Sequence, residues 1–207
     1  MLSFFKSKPP IIADLSWLGV DIHSHLLPGI DDGAPDLATS LHLINKLQEL
    51  GLQKFICTPH IFKELYPNTP ATINAALNLV KQGLQQSGSK VQIAAAAEYM
   101  VDGDFEIASD LLCLKDKYIL VEMSYLNETP NIEQAIFDLQ IKGYKVILAH
   151  PERYNFYHDN HARYYRLKDM GCLFQLNLLS VIGYYGKPVK VVAEYLLAKK
   201  MYHLAGT

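Results

Sequence analysis

The chain has 207 residues, half of them hydrophobic and 19% charged, with a formal net charge of −2. Such a length suits one domain at about 150 residues each, and the composition excludes a disordered tail. The near-neutral balance leaves no basic footprint for nucleic acid or an anionic membrane, and no apolar run reaches the roughly 18 residues of a membrane span.

Residues 1–14, rich in Lys and Pro, read as a surface lead-in, and 15–207 as a single domain. Lys6 arrives too early for the apolar core of a secretory signal. Cys57, Cys113 and Cys172 are scattered and odd in number, which predicts reduced thiols in a cytoplasm.

Short apolar runs at 18–23, 54–58, 91–98, 118–123, 145–150, 172–177 and 202–207 predict strands. Most are apolar on both faces, as buried parallel strands are. Helix signals lie between them. Gly51 closes the first helix. Thr69-Pro70 opens a second, with Ile73, Leu77, Val80 and Leu84 on one face. Residues 105–114 read as a further helix. Asn131-x-x-Gln134 resembles a capping box before Ile132, Ile136 and Leu139, and Gly143 ends that helix. Gly171 closes another. Pro188 opens the last, with Val189, Val192, Ala193 and Leu196 facing one way. Strands alternating with helices imply a parallel α/β sheet. The chain contains neither G-x-G-x-x-G nor G-x-x-x-x-G-K-[ST], which favours a barrel over an open doubly wound sheet.

The chemistry sits at strand ends. Successive runs finish in His23-Ser24-His25, in Thr58-Pro59-His60, in Glu98, in Glu122, and in His150-Pro151-Glu152-Arg153. On a parallel barrel those ends share one rim, and residues two apart on a strand share a face. Imidazole with carboxylate suits zinc, manganese or iron, and six or more ligands imply two or more ions, bridged by Glu98 or Glu122. Closely spaced ions produce hydroxide near neutral pH and serve phosphoryl transfer. Asp32, in the turn Pro28-Gly29-Ile30-Asp31-Asp32-Gly33, adds an oxygen ligand; turn chemistry is the alternative for that acid pair. Arg153 offers a planar fork for phosphate, the alternative being a salt bridge to Glu152. His42, His158, His161 and His203 read as ordinary packing or surface residues. The tyrosines of 153–166 and the pair Tyr184-Tyr185 are candidates for a substrate mouth or a homo-oligomer contact. A cysteine-based phosphatase is excluded: the position six after each cysteine holds Lys63, Ile119 or Leu178 instead of arginine.

Taken as a set, these motifs resemble the PHP (polymerase and histidinol phosphatase) superfamily. More narrowly they resemble its bacterial branch of manganese-dependent protein-tyrosine phosphatases, associated with capsular and exopolysaccharide synthesis. The likeness runs from about Leu15 and includes Ala97-Glu98-Tyr99, Leu176-Asn177-Leu178-Leu179-Ser180 and Gly183-Tyr184-Tyr185-Gly186-Lys187-Pro188. It implies a distorted seven-stranded (β/α) TIM-like barrel with up to three divalent ions, manganese first, with iron or zinc as alternatives. By position, His23, His25 and Glu98 would hold the first ion, Glu98, Glu122 and His150 the second, and Asp32 and His60 the third, with Arg153 on the phosphate. Other superfamily members carry histidine at the positions of Asp32 and Glu122, which favours the tyrosine-phosphatase branch. The implied substrate is phosphotyrosine in a protein, in particular the tyrosine-rich tail of a bacterial kinase. The family pattern continues beyond Thr207 with Asp-x-His and a helix, so the resemblance also implies that this chain lacks two ligands and that helix. Two alternatives stand beside the enzyme: a histidinol-phosphatase-like small-molecule phosphatase and a non-catalytic metal-binding form.

Overall fold

The computed structural model describes residues 13–103 and 105–207, so the lead-in falls almost wholly outside the described residues. Strands β1 (Lys54–Cys57) and β3 (Gln92–Ala95) pair in parallel. A six-stranded parallel sheet runs in the order β2 (His60–Ile61), β4 (Glu98–Met100), β5 (Tyr118–Glu122), β6 (Lys145–Ala149), β7 (Leu173–Asn177) and β8 (Leu204–Gly206). The two sheets continue one another. Across the steps that separate β1 from β2 and β3 from β4, Ala96 N–H donates to Cys57 O (2.8 Å) and Glu98 N–H to Pro59 O (3.1 Å). Pro59 has no N–H to give a ladder, which fits the break at this point.

Helices α1 (Leu37–Glu49), α2 (Pro70–Gln86), α3 (Ile132–Ile141), α4 (Ala162–Asp169), α5 (Leu178–Ile182) and α6 (Lys187–Ala198) complete a mixed α/β fold. Thr69 caps α2 through a reciprocal box with Thr72, and Ile73, Leu77, Val80 and Leu84 are buried. The expected stripe of α6 is buried as well. Gly51, Gly143 and Gly171 each follow a helix end at positive φ. Among the described residues no helix is long and apolar enough to cross a membrane, and the three cysteines are free.

Three expectations fail. Residues 18–23 do not form a strand: a 3-10 turn spans Ser16–Leu18, and only Asp21 bridges to Phe55. The His23 N–H goes instead to the Asp21 carboxylate at 3.3 Å. Residues 105–114 are not helical, because their N–H groups serve other partners: Leu112 donates to Tyr99 Oη (2.7 Å) and Leu114 to Tyr118 O (2.9 Å). Asn131 makes no side-chain cap, and Gln134 bonds forward to Asp138 at 2.8 Å.

Strand alternation sorts the interior. Ile119, Val121, Val146 and Leu148 join the main core. Leu120, Ile147 and Ala149 pack separately, with Tyr118, Leu173 and Leu204 against them. Glu122 and Gln175 share the parity of that smaller cluster, so it floors the polar site above it.

Candidate metal centre

Glu98, fully buried at the start of β4, is where the strand-end residues converge. His23 Nε2 lies 3.0 Å from its Oε2 and His150 Nε2 lies 3.0 Å from its Oε1. His25 Nε2 and His60 Nδ1 stand 3.4 and 3.3 Å from Oε2. His60 also reaches Glu122 Oε1 (2.7 Å) and Asp32 Oδ1 (3.5 Å). All seven predicted ligands therefore meet in one place, drawn from five separate stretches of chain. Among the described residues, three groups bring their donor atoms within 4.8 Å of one another: His23–Glu98–His150, His25–His60–Glu98 and His25–Asp31–Asp32. They divide the donors differently from the division the resemblance implies, and Glu122 falls outside all three.

Supporting contacts orient the imidazoles. His23 Nδ1–H donates to Gln175 Oε1 at 2.8 Å, while the Gln175 amide nitrogen donates to Leu176 O at 2.6 Å. With Nδ1–H committed to Gln175, Nε2 is the nitrogen that faces the cluster, the orientation metal-ligating histidines adopt. Asp31 does the same for His25, accepting from Nδ1 at 2.7 Å and also from the Gly33 N–H at 3.0 Å. Gly33 is needed here for space: a Cβ would stand 2.1 Å from His25 O. His150 takes a left-handed backbone, φ 33°, at the head of a 3-10 turn over Pro151–Arg153. Residues three apart eclipse in such a turn, so Arg153 returns over the same rim.

The electrostatics are those of a site built for cations. Burial would raise the Glu98 carboxyl, but the charge of His23 and the surrounding imidazole hydrogen bonds hold it well below the usual range. Burial and the neighbouring Glu98 push Glu122 up. Burial opposes protonation of His25, yet Asp31 and Glu98 hold it up at about 10. His150 is driven by burial down to about 3. Both Glu122 oxygens and His150 Nδ1 are buried without a hydrogen bond, since the close His60 approach lacks hydrogen-bond geometry. Two adjacent buried carboxylates with unspent lone pairs, ringed by imidazole nitrogen and no thiolate, fit divalent cations.

A cleft of about 370 Å³ opens onto this cluster, and Arg153, Tyr125, Tyr185 and Asn177 line it too. Arg153 does not pair with Glu152. That carboxylate is fully buried and accepts from Asn177 N, Ser180 Oγ and Tyr202 Oη at 2.8–3.0 Å. Among the described residues no carboxylate lies within ion-pair distance of Arg153; its guanidinium carbon lies over the ring of Tyr125 (4.5 Å to the centroid) and over that of Tyr185 (4.2 Å). His42 is exposed and His203 bonds Lys168 and Phe174, both away from the cleft, as expected. Sequence reasoning passed over Gln175 and Tyr125, and it favoured Asp32 over Asp31. A glutamine in an apolar strand, two residues before Asn177, was the one available signal for Gln175.

The family described as "Capsular polysaccharide synthesis, CpsB/CapC" matches residues 19–207. The chain belongs to the CpsB/CapC family. YwqE, a tyrosine-protein phosphatase of Bacillus subtilis, is 32% identical over 192 residues, covering 91% of this chain and 76% of its own. CpsB, a tyrosine-protein phosphatase of Streptococcus pneumoniae, is 26% identical over 197 residues, covering 91% and 81%. A crystal structure from work on YwqE of Bacillus subtilis and CpsB of Streptococcus pneumoniae, described as unique metal-dependent tyrosine phosphatases, superposes with a TM-score of 0.83. It is 32% identical and covers 90% of this chain and 77% of that one. The His/Glu cluster of this CpsB/CapC chain thus sits in a fold shared with metal-dependent phosphatases.

Proposed function

We propose that this protein hydrolyses phosphotyrosine in proteins with two to three divalent ions, manganese first, held by His23, His25, Asp32, His60, Glu98, Glu122 and His150. Family membership supports the reaction class. The observation that carries it is an arginine without an anionic partner among the described residues, at the edge of a four-histidine cluster around the buried carboxylates of Glu98 and Glu122. Bound divalent ions supply positive charge for the phosphoryl oxygens and lower the pKa of a water nucleophile. Glu98 and Glu122 would neutralise such ions, and Gln175 and Asp31 orient the imidazoles of His23 and His25 toward them. Arg153 directs its N–H fork at the equatorial oxygens, where charge accumulates in the transition state. A phenol of pKa near 10 leaves more readily than an alkyl alcohol, so the reaction does not demand a dedicated general acid.

We read residues 15–207 as one domain and its strands as a distorted seven-stranded barrel. Asp21 N–H donates to Lys54 O (2.9 Å), and Thr207 closes back through its N–H and Oγ1 on the Asp21 carboxylate (3.1 and 2.7 Å). We further assign the tail of a bacterial tyrosine kinase as substrate and the cytoplasm as its place of action. The test compares phosphate release from a tyrosine-phosphorylated kinase-tail peptide with release from histidinol phosphate, each with Mn²⁺. Preference for the peptide supports the proposal, and preference for the small ester sinks it in favour of a small-molecule phosphatase.

A further inference from the structure

Arg153 is a cation that no carboxylate among the described residues neutralises and that lies against two aromatic rings. Its guanidinium carbon is 4.5 Å from the centroid of Tyr125 and 4.2 Å from that of Tyr185. These contacts leave the guanidinium N–H groups available, because a π-face attracts a cation without consuming a donor. Both tyrosines are themselves placed by the fold. Tyr125 lies three residues beyond the end of β5, its ring centroid 6.0 Å from that of His150. Tyr185 sits in a four-residue turn between α5 and α6 whose two ends, Gly183 (φ 86°) and Gly186 (φ 95°), both take backbone conformations that favour glycine. Gly186 N–H closes that turn on Gly183 O at 3.0 Å. Asn177, which caps α5, donates from Nδ2 to Tyr185 Oη at 3.4 Å. Tyr184 buttresses Tyr185 edge-on at 5.1 Å.

We propose that Tyr125 and Tyr185 are positioning residues that clamp Arg153 as a preset anion fork facing the metal cluster. The phosphatase reading supplies only the identity of the anion, a phosphoryl group. Without the clamp, the long arginine side chain would lose rotamer freedom on each binding event, which weakens anion capture.

The experiment is calorimetric titration of the metal-loaded protein with inorganic phosphate, across Tyr125→Leu, Tyr185→Leu, the two Phe variants, and each Leu change combined with Arg153→Ala. Melting temperature and metal content are recorded for every variant, so a folding defect is recognised as such. Each Leu variant is expected to weaken phosphate binding by about fivefold, while the Phe variants keep most of the affinity because the ring makes the contact. In the Arg153→Ala background the same Leu changes are expected to shift affinity by less than about twofold. Wild-type affinity in the Leu variants, an undiminished Leu effect without Arg153, or phosphate binding that ignores Arg153 would each overturn the clamp. Arg153-dependent phosphate binding in a protein that releases nothing from phosphotyrosine would instead overturn the phosphatase reading and leave the clamp standing.

Discussion

Four imidazoles meet the Glu98 carboxylate, and two of them are aimed by side-chain partners, His25 by nearby Asp31 and His23 by a residue far away in sequence. Gln175 aims His23 across 152 residues, so no local pattern marks it. Replacing Gln175 by Leu removes the acceptor that fixes the His23 tautomer; metal affinity is expected to fall by about 10- to 100-fold, read by competition with a coloured chelator. Unchanged affinity would mean that the tautomer is set some other way. Arg153→Ala is expected to lower phosphotyrosine turnover by about 10²-fold or more with metal content intact, as loss of a transition-state charge donor does. His23, His25, His60, Glu98, Glu122 and His150 were legible as one group because each closes an apolar run of the sequence, although in the structure His60 and Glu98 open short strands and His23 and His25 lie outside any strand. Asp31 was not, since two adjacent turn acids offer no sign of which one turns inward onto an imidazole.

Among the elements, β5, β6 and β7 were readable from apolar runs buried on both faces. Residues 18–23 carry the same composition, but Asp21 draws the His23 N–H out of any ladder, a contact that composition does not reveal. The small cluster under the site depends on Ile147, which is fully buried between Leu120 and Leu173 in register. Ile147→Ala is expected to cost about 2–5 kcal/mol of unfolding free energy in urea titration and, by slackening the floor, to loosen the site. The α3–α4 contact has a pH signature. Glu133 takes hydrogen bonds from Arg166 and Arg163, which hold its carboxyl below the usual 4.5. A depressed folded-state pKa stabilises the fold fully above the unfolded value, and that stabilisation is lost as pH falls through the folded one. Glu133→Gln should therefore lower the melting temperature at neutral pH, and the gap to the wild type should close in acid. A gap that persists unchanged in acid would assign the loss to packing instead.

For the molecule as a whole, the buried carboxylates link ion binding to folding. Ions that bind only the folded chain stabilise it in proportion to the logarithm of their concentration. Chelation should lower the melting temperature, and returning Mn²⁺, Fe²⁺ or Zn²⁺ should restore it to an extent that ranks the ions. The architecture was legible as parallel α/β because apolar runs alternate with helical periods. The irregular 105–114 segment was not, being set by hydrogen bonds such as that from Leu112 N–H to Tyr99 Oη.

The most direct test of the metal-dependent phosphatase is phosphate release from a tyrosine-phosphorylated peptide, measured while Mn²⁺ is titrated into the chelator-stripped protein. Turnover that is absent in the stripped protein, rises with Mn²⁺ and saturates at two to three ions per chain is the predicted result. Turnover indifferent to chelation, or none at saturating ion, would contradict it.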